Sequence, residues 1–408
     1  MKKKPVLING VSLRSQLTGV GYYTFELFSA LARHRKSAVL GPDIGEASQL
    51  HLFLGNNYRL NWTGSSMAPT PGVTSHRLGL KGYLRQKLAA IPWLRKQVRA
   101  RQTRRFLQFS RSCKALEQQG TCSMIYHEPN FIALPFEGAT VVTAHDFSFV
   151  RHPETHPAER VRYMSAHILD SLERADRIVL VSDFVKAELR ALFGSSAVDK
   201  SRVIPNGVSE RFRPRCAQEV HPVLYRYGLS FRGFLLSVGT LEPRKNLIHL
   251  IQAYAQLPAA VKVKYPLVLA GPKGWHLPAL EQQLHKLRHE PIRWLGYLEP
   301  AELEALYASA RAFAYLSIYE GFGLPVLESM ASGTPVLVSQ AGALTELVAD
   351  TGLITSPYDL DATRGALETR LLDETLWEHH RSNGLMRAQQ LRWTRAASML
   401  EQIYDELP

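Results

Sequence analysis

Short apolar runs alternate with helix-forming stretches along most of this 408-residue chain, and the alternation begins twice. In the first half, Pro5–Asn9 (PVLIN) reads as a strand. Gly19-Val20-Gly21 and a helix in TFELFSALARH follow, with Phe25, Leu27, Phe28 and Leu31 apolar. Further strands are expected at Ser123–Tyr126, Thr140–Thr143, Arg177–Val181 and Arg202–Ile204. Ser182-Asp183 caps a helix in FVKAELRALF. The stretch PNGVSERFRPRCAQEVHP has little periodicity and reads as a linker. The pattern then restarts with strands at Phe234–Val238, Leu267–Ala270, Ile292–Leu295, Ala312–Leu316 and Pro335–Ser339. Short buried strands joined by helices demand parallel sheets with right-handed crossovers. The expected architecture is α/β, with two Rossmann-like parallel-sheet domains at 1–205 and 206–385 facing a central cleft. A C-terminal helical piece at 386–408 is expected to pack back across it. Ligands of such sheets bind at the carboxyl ends of the strands.

A hydrophobic share of 45% and a charged share of 21% are those of a globular protein. No run of about eighteen apolar residues occurs, so no membrane span is expected. The apolar run in MKKKPVLINGVSL is interrupted by Asn9 and Gly10, which suits a first strand better than a signal peptide. Cys113, Cys122 and Cys216 form no CxxC pair, which fits free thiols in the cytoplasm. Charge is unevenly spread. Residues 1–205 hold 29 Lys and Arg against 15 Asp and Glu, whereas residues 206–408 hold 20 against 21. Between Ala47 and Leu116 there is no acidic residue. Within that gap, Lys81–Lys114 mixes cations with Leu84, Leu88, Ile91, Trp93, Leu94, Val98, Phe106, Leu107 and Phe109. Such a segment suits an anionic membrane surface; the plainer alternative is a solvated helix whose apolar residues pack on the domain. The aromatics form no stacking platform, so nucleic acid is not expected.

The stretch Tyr319–Glu328, YEGFGLPVLE, brackets a Gly-Phe-Gly-Leu-Pro turn with two glutamates. Pro325 suits the first turn of a helix, and Gly333 suits its end. Glu320 then lies in the loop before the helix and Glu328 inside it. A helix N-terminus offers amides to a phosphate. Carboxylates beside such a site can accept hydrogen bonds from sugar hydroxyls, and a nucleotide-sugar carries hydroxyls on both sides of its diphosphate.

Other segments carry weaker signals. Gly19 and Gly21 can let backbone amides approach a phosphate, or simply form a tight turn. In LEPRKN, Arg244 and Lys245 follow a strand and can neutralise a diphosphate; a solvated loop is the alternative. His145 ends another strand and can hydrogen-bond a sugar hydroxyl, with Asp146 orienting it, or be structural. Asp359-Leu360-Asp361 resembles a metal-binding pair, but helix capping accounts for it better.

Taken in order, GVGYY, VVTAHDFSF, VSDFVKAEL, VIPNGVSERFRP, LLSVGTLEPRKN, LVLAGPKGW, WLGYL and YEGFGLPVLESMASGTPVLVS resemble the retaining glycosyltransferases of family four, which have the GT-B fold. The resemblance covers nearly the whole chain. It implies catalytic roles for His145, Glu320, Arg244 and Lys245. Glu320 would accept hydrogen bonds from the donor sugar, and Glu328 from the ribose. Arg244 and Lys245 would clamp the diphosphate. Gly321, Phe322, Gly323 and Leu324 would present backbone to sugar and phosphate, and Gly19 and Gly21 would close from the other domain. The base would sit near Gly271, Gly296, Tyr297 and Leu298. Many relatives carry Arg where this chain has Thr240, so the phosphate contacts there are expected to differ.

The wording of HDFSFVRHPE and VGTLEPRKN is similar to bacterial enzymes that add mannose or rhamnose to O-antigen from GDP-sugars. The resemblance therefore implies a GDP-sugar donor, with a UDP-sugar as the alternative, and no metal or other cofactor. It implies a lipid-linked glycan acceptor at the cytoplasmic face of the inner membrane, in lipopolysaccharide biosynthesis. A non-catalytic basic protein that binds membrane or nucleic acid would explain the charge asymmetry but leave the two glutamates and the LEPRKN loop without a purpose.

Overall fold

The computed structural model describes residues 3–13, 17, 19–37, 50–53, 58–59, 103–104, 106–108, 110–111, 114 and 123–408. Thirteen strands among these form two sheets. The first contains β1 (Val6–Asn9), β2 (Leu50–Phe53), β3 (Tyr58–Arg59), β4 (Ile125–Glu128), β5 (Thr140–Ala144), β6 (Arg177–Leu180) and β7 (Ser201–Val203), in the order β3-β2-β1-β4-β5-β6-β7. The second contains β8 (Leu235–Val238), β9 (Leu267–Ala270), β10 (Ile292–Trp294), β11 (Ala312–Tyr315), β12 (Val336–Ser339) and β13 (Leu353–Thr355), in the order β10-β9-β8-β11-β12-β13. Every pairing is parallel except β2 with β3. Each sheet reverses direction beside its first strand, between β1 and β4 and between β8 and β11. These are the switch points where ligand crevices open in such sheets.

Val6, Leu7 and Ile8, like Val141 and Val142, are fully or almost fully buried, as strands covered by helices on both faces must be. β4 corrects the expected span: it starts at Ile125 and runs on to Glu128. The acidic side chain at its end is tolerated because Asn9, the Tyr126 hydroxyl and the Asn130 amide all donate to the Glu128 carboxyl group. Sequence periodicity did not reveal β2, β3 or β13, which are short.

Helix α1 (Gly19–Ser37) begins at Gly19 itself, so Gly19 and Gly21 occupy its first turn rather than a preceding loop. α2 (Ala158–Arg174) and α3 (Asp183–Phe193) complete the main helices of the first unit. The expected linker contains a helix, α4 (Ala217–Tyr227), opened by a capping box of Cys216 and Glu219. Pro222 inside that helix, with only Val220 and Leu224 buried, masked its periodicity. In the second unit come α5 (Leu247–Ala255), α6 (Pro300–Ser309), α7 (Leu324–Ala331) and α8 (Leu360–Leu372). The expected boundary at 385 falls inside α9 (Glu374–Gln390), because the chain has no break until Leu391-Arg392. α10 (Trp393–Asp405) then packs on α1.

The chain crosses between units at Gly207-Val208 and returns at Arg392-Trp393, and the two crossings lie side by side. Val208 bridges Arg392, and a Cβ on Gly207 would overlap the Trp393 backbone. Arg35 of α1 forms a buried pair with Glu401 of α10, at 2.7 Å and 3.0 Å. One apolar cluster runs from Val6 and Ile8 through Val208 and Phe212 to Leu327 and Leu400, so the units share a core. The basic stretch Lys81–Lys114 lies outside the described residues except near its end. There Phe106 is buried against Tyr126, with ring centroids 4.9 Å apart. Cys113 and Cys122 also lie outside; Cys216 is free and exposed. No helix among the described residues is long and apolar enough to cross a membrane.

Candidate active site

The loop after β11 carries Glu320 into the core of the cleft. Gly323 caps α7 with φ 103° and ψ 53°, a left-handed conformation that suits glycine. Pro325 lies in the first turn of α7, and Glu328 lies further along that helix. Behind the loop, the Ala343 amide donates to the Glu320 carbonyl at 2.9 Å. The loop after β8 approaches from the other side of the switch point. It forms a single 3-10 turn at Pro243–Lys245, closed by Asn246 at φ 54°. The two loops are stitched together by the Ile318 amide on the Arg244 carbonyl, 2.9 Å.

The result is a buried ion cluster. Lys245 lies 2.6 Å from Glu320 Oε1, and Arg244 lies 2.9 Å from Oε2. Arg244 also pairs with Glu242 at 2.7 Å and donates to the Tyr319 carbonyl at 2.8 Å. Lys245 donates to the Tyr315 hydroxyl and sits 4.8 Å from that ring's centroid. Burial works against an ionised Glu320, but Arg244 and Lys245 overcome it and draw the carboxyl down to about 2. Burial also works against both cations, and Glu320 is the acid that most raises each.

The first unit reaches this loop directly. A Cβ on Gly321 would overlap the His145 carbonyl oxygen, so only glycine allows this approach. Ser182 donates to the Gly321 carbonyl at 2.7 Å. Tyr319 inserts into the first unit, where its hydroxyl accepts from the Phe147 amide at 3.2 Å and approaches Glu188 at 3.4 Å. Asp146 accepts from both the amide and the hydroxyl of Ser148, at 2.9 Å and 2.7 Å. Despite burial, Arg244 across the cleft helps hold the Asp146 carboxyl below its ordinary range. The His145 Nε2 donates to the Pro129 carbonyl at 2.8 Å, which leaves Nδ1 as its acceptor. Burial lowers this histidine, so the neutral form is favoured. Its ring is wedged edge-on to Tyr23 at 4.6 Å.

The remaining expected donor residues divide between two pockets and the core. Thr240 lines a pocket with Gly239, Lys245, Ala270 and Tyr315. Leu324 and Glu328 line a second, with Tyr22, Glu26, Arg211 and Trp393. Gly271 has φ 141° and stacks on the Gly239 carbonyl; Gly296 has φ 73° and its carbonyl accepts from the Gly271 amide at 2.7 Å. Tyr297 is partly exposed beside them. The side chains of Leu298 and Phe322 belong to the core, so each has only its backbone to offer a ligand. A Cβ on Gly19 would meet no atom within 4 Å, whereas one on Gly21 would be confined by Leu17 and the Ser12 carbonyl. Asp359 caps α8 through the Ala362 amide at 2.9 Å, which accounts for the DxD pattern. Sequence reasoning missed Glu242, Ser182, Tyr319 and Arg211 as parts of the site. Arg211 stands in VIPNGVSERFRP, but nothing in the sequence says which way its side chain points.

Residues 17–212 match the family described as Glycosyltransferase Family 4, and residues 231–385 match Glycosyl transferases group 1. O-antigen chain mannosyltransferase B of Escherichia coli is 36% identical over 396 residues, covering 97% of this chain and 98% of the relative. The chain belongs to glycosyltransferase family 4. Solved structures place this transferase in the GT-B fold. Sucrose-phosphate synthase from Thermosynechococcus elongatus superposes with a TM-score of 0.67 at 22% identity, over 99% of each chain. Anabaena HepE, in complex with UDP and glucose, gives 0.65 at 17% identity, over 99% of this chain and 100% of that one. In the transferase, the first family segment carries β2 to β7 of the first sheet and the second carries all of the second sheet, with the ion cluster in the second beside the contact of Gly321 with His145.

Proposed function

We propose that this glycosyltransferase moves a mannose- or rhamnose-type hexose, with retention and without a metal, from a GDP-sugar to a lipid-linked glycan in cell-surface polysaccharide synthesis. The carrying observation is Glu320 held between Arg244 and Lys245 at the carboxyl ends of β8 and β11. The cluster is organised for an exchange of partners. The donor's diphosphate takes the two cations, while sugar hydroxyls donate to Glu320. No charge is stranded, which matters because an unpaired buried ion costs several kcal/mol.

As the bond from the sugar's anomeric carbon to phosphate lengthens, negative charge grows on the departing oxygen. Arg244, Lys245 and the α7 amides face that charge. The acceptor hydroxyl attacks from the same face and gives its proton to the departing phosphate oxygen, so one C–O bond forms as the other breaks. The neutral His145 offers Nδ1 to a sugar hydroxyl. Mannose is favoured by the near-full-length similarity to an O-antigen mannosyltransferase. A UDP-sugar is the second reading, favoured by the fold shared with HepE and its UDP. The basic first half favours work at the cytoplasmic surface of a membrane.

Calorimetric titration with GDP, UDP and ADP, each with magnesium and with EDTA, tests the donor. Metal-independent preference for GDP is expected, and preference for UDP selects the second reading. Transfer from GDP-mannose, followed by NMR of the product's anomeric proton, tests retention.

A further inference from the structure

Two helices of the second unit interrupt their buried stripes with a basic residue. Along α8 the buried positions are Thr363, Leu367, Arg370 and Leu371, at the spacing of one helix face. Along α9 they are Trp377, His380, Gly384 and Ala388. Asp373 alone separates the two helices, so the interruptions fall at the end of one and near the start of the other. Arg370 is fully buried, and none of its three guanidinium nitrogens has a hydrogen-bond partner. His380 is 7% exposed, and its Nδ1 also has no partner. Asp373 acts on both groups, but its carboxylate is committed to capping α9 through the Leu376 amide at 2.8 Å; Asp350 acts on His380 as well. The neighbouring Arg311 is satisfied, since it donates to the Leu371 carbonyl at 3.0 Å and pairs with Glu374 at 2.9 Å. Arg35, equally buried in the first unit, has both a carboxylate and the Lys4 carbonyl. Arg370 has neither.

We propose that Arg370 and His380 form a buried site for a small monovalent inorganic anion of the chloride class, held between α8 and α9: the guanidinium balances its charge, and the Nδ1–H of a neutral His380 donates to the same ion. A guanidinium carries five N–H donors and no acceptor, so only an anion or other acceptors can satisfy it. A charge taken out of water without either is among the costliest features a core can hold. Burial, and then Arg311, lower Arg370 to about 10, which still leaves it charged at neutral pH. Burial, and then Arg370, lower His380 to about 4, so the imidazole is neutral and contributes a hydrogen bond rather than charge. One positive charge calls for one negative charge, which favours a halide over a phosphate dianion. Arg311 stands just before β11, at the amino-terminal edge of the second sheet, whereas the Glu320 cluster lies at the carboxyl ends of the strands. The ion therefore stabilises the second unit from the end opposite the donor site, and its binding does not depend on which nucleotide-sugar is used.

The test uses the full chain as wild type, Arg370→Met and His380→Leu. Melting temperature is followed from about 1 to 100 mM sodium chloride, with sodium gluconate holding the ionic strength constant, and the series is repeated with bromide and with phosphate. Wild type is expected to gain about 2 °C or more across the chloride and bromide series. Arg370→Met removes the charge and keeps an unbranched apolar side chain. It is expected to be at least as stable as wild type in gluconate and to lose the halide response. Subtracting its series also removes general salt effects. His380→Leu should raise the half-saturating chloride concentration about tenfold, the cost of one hydrogen bond to a charged group. Crystals of wild type soaked in bromide should show an anomalous peak within hydrogen-bonding reach of the Arg370 nitrogens. A wild-type melting temperature indifferent to halide overturns the proposal, as does a halide response that survives in Arg370→Met or bromide found only at the surface. A corrected response larger for phosphate than for chloride overturns the assignment to a monovalent ion. If Arg370→Met does not fold, His380→Leu and the bromide peak decide.

Discussion

Lys245 and Glu320, 75 positions apart in the chain, meet at 2.6 Å, and Arg244 takes the other carboxylate oxygen. Under the proposed function, the acid that meets the sugar and the cations that meet the diphosphate form one preassembled unit. Glu320→Gln keeps the shape and removes the charge. Transfer is expected to fall about 10²–10³-fold, the usual cost of losing a preorganised electrostatic contact. Nucleoside diphosphate binding should change little or tighten, because the cations are freed. Steady-state kinetics beside calorimetry separates the two; unchanged turnover would remove Glu320 from the site.

Gly321 is one of the points where the units touch. Gly321→Ala forces the His145 carbonyl away from the loop. The expected result is a folded protein with transfer reduced about 10²-fold, the penalty for displacing reacting groups by roughly 1 Å. Circular dichroism checks the fold and small-angle scattering checks the separation of the units. Full activity would show that their contact here is dispensable.

Glu128 makes stability depend on pH. Burial raises its carboxyl from 4.5 to about 8, against the hydrogen bonds from Asn9, Tyr126 and Asn130. The folded state therefore holds the proton more tightly than the unfolded state. This group's contribution is greatest below pH 4.5 and is lost as pH rises toward 8, by up to about 1.4 kcal/mol per unit. The melting temperature of wild type is expected to be lower at pH 9 than at pH 6, and Glu128→Gln should narrow that gap. A wild-type profile flat from pH 6 to 9 would mean the three donors keep Glu128 ionised throughout.

Arg35 is fully buried, and Glu401 is its charged partner. Glu401→Ala removes an acid paired with the buried Arg35 guanidinium, which also donates to the Lys4 carbonyl, and is expected to cost up to about 3–5 kcal/mol, as breaking buried pairs does. Replacing both with Met and Leu should recover much of that loss. Denaturant unfolding measures both variants; equal stability of the single variant and wild type would show that α10 is held by apolar packing alone.

Much of the fold was legible because buried strands announce themselves. VLIN, VVTA, RIVL, LLSV, LVLA and AFAY are continuous apolar or nearly apolar runs, each followed by turn residues. The helix in 217–227 and the strands β2, β3 and β13 were not legible, since Pro222 interrupts the helix and LHLF, YR and LIT are too short or too broken by polar residues to read as apolar runs. The Glu-x7-Glu spacing and the Arg-Lys pair were visible as local chemistry at strand ends.

The sequence by itself determined which residue types stand at the carboxyl ends of β8, β11 and β5, because strand order and loop position follow from local pattern. Only the tertiary structure decided their partners. Within the second sheet the switch point between β8 and β11 brings Lys245 to Glu320, and where the loops of the two units meet, the His145 carbonyl reaches Gly321 and Arg211 reaches the pocket of Glu328. Such contacts join residues tens to hundreds of positions apart, and burial then sets their charges. No local pattern carries that information, since the energy of a buried ion depends on what surrounds it in space.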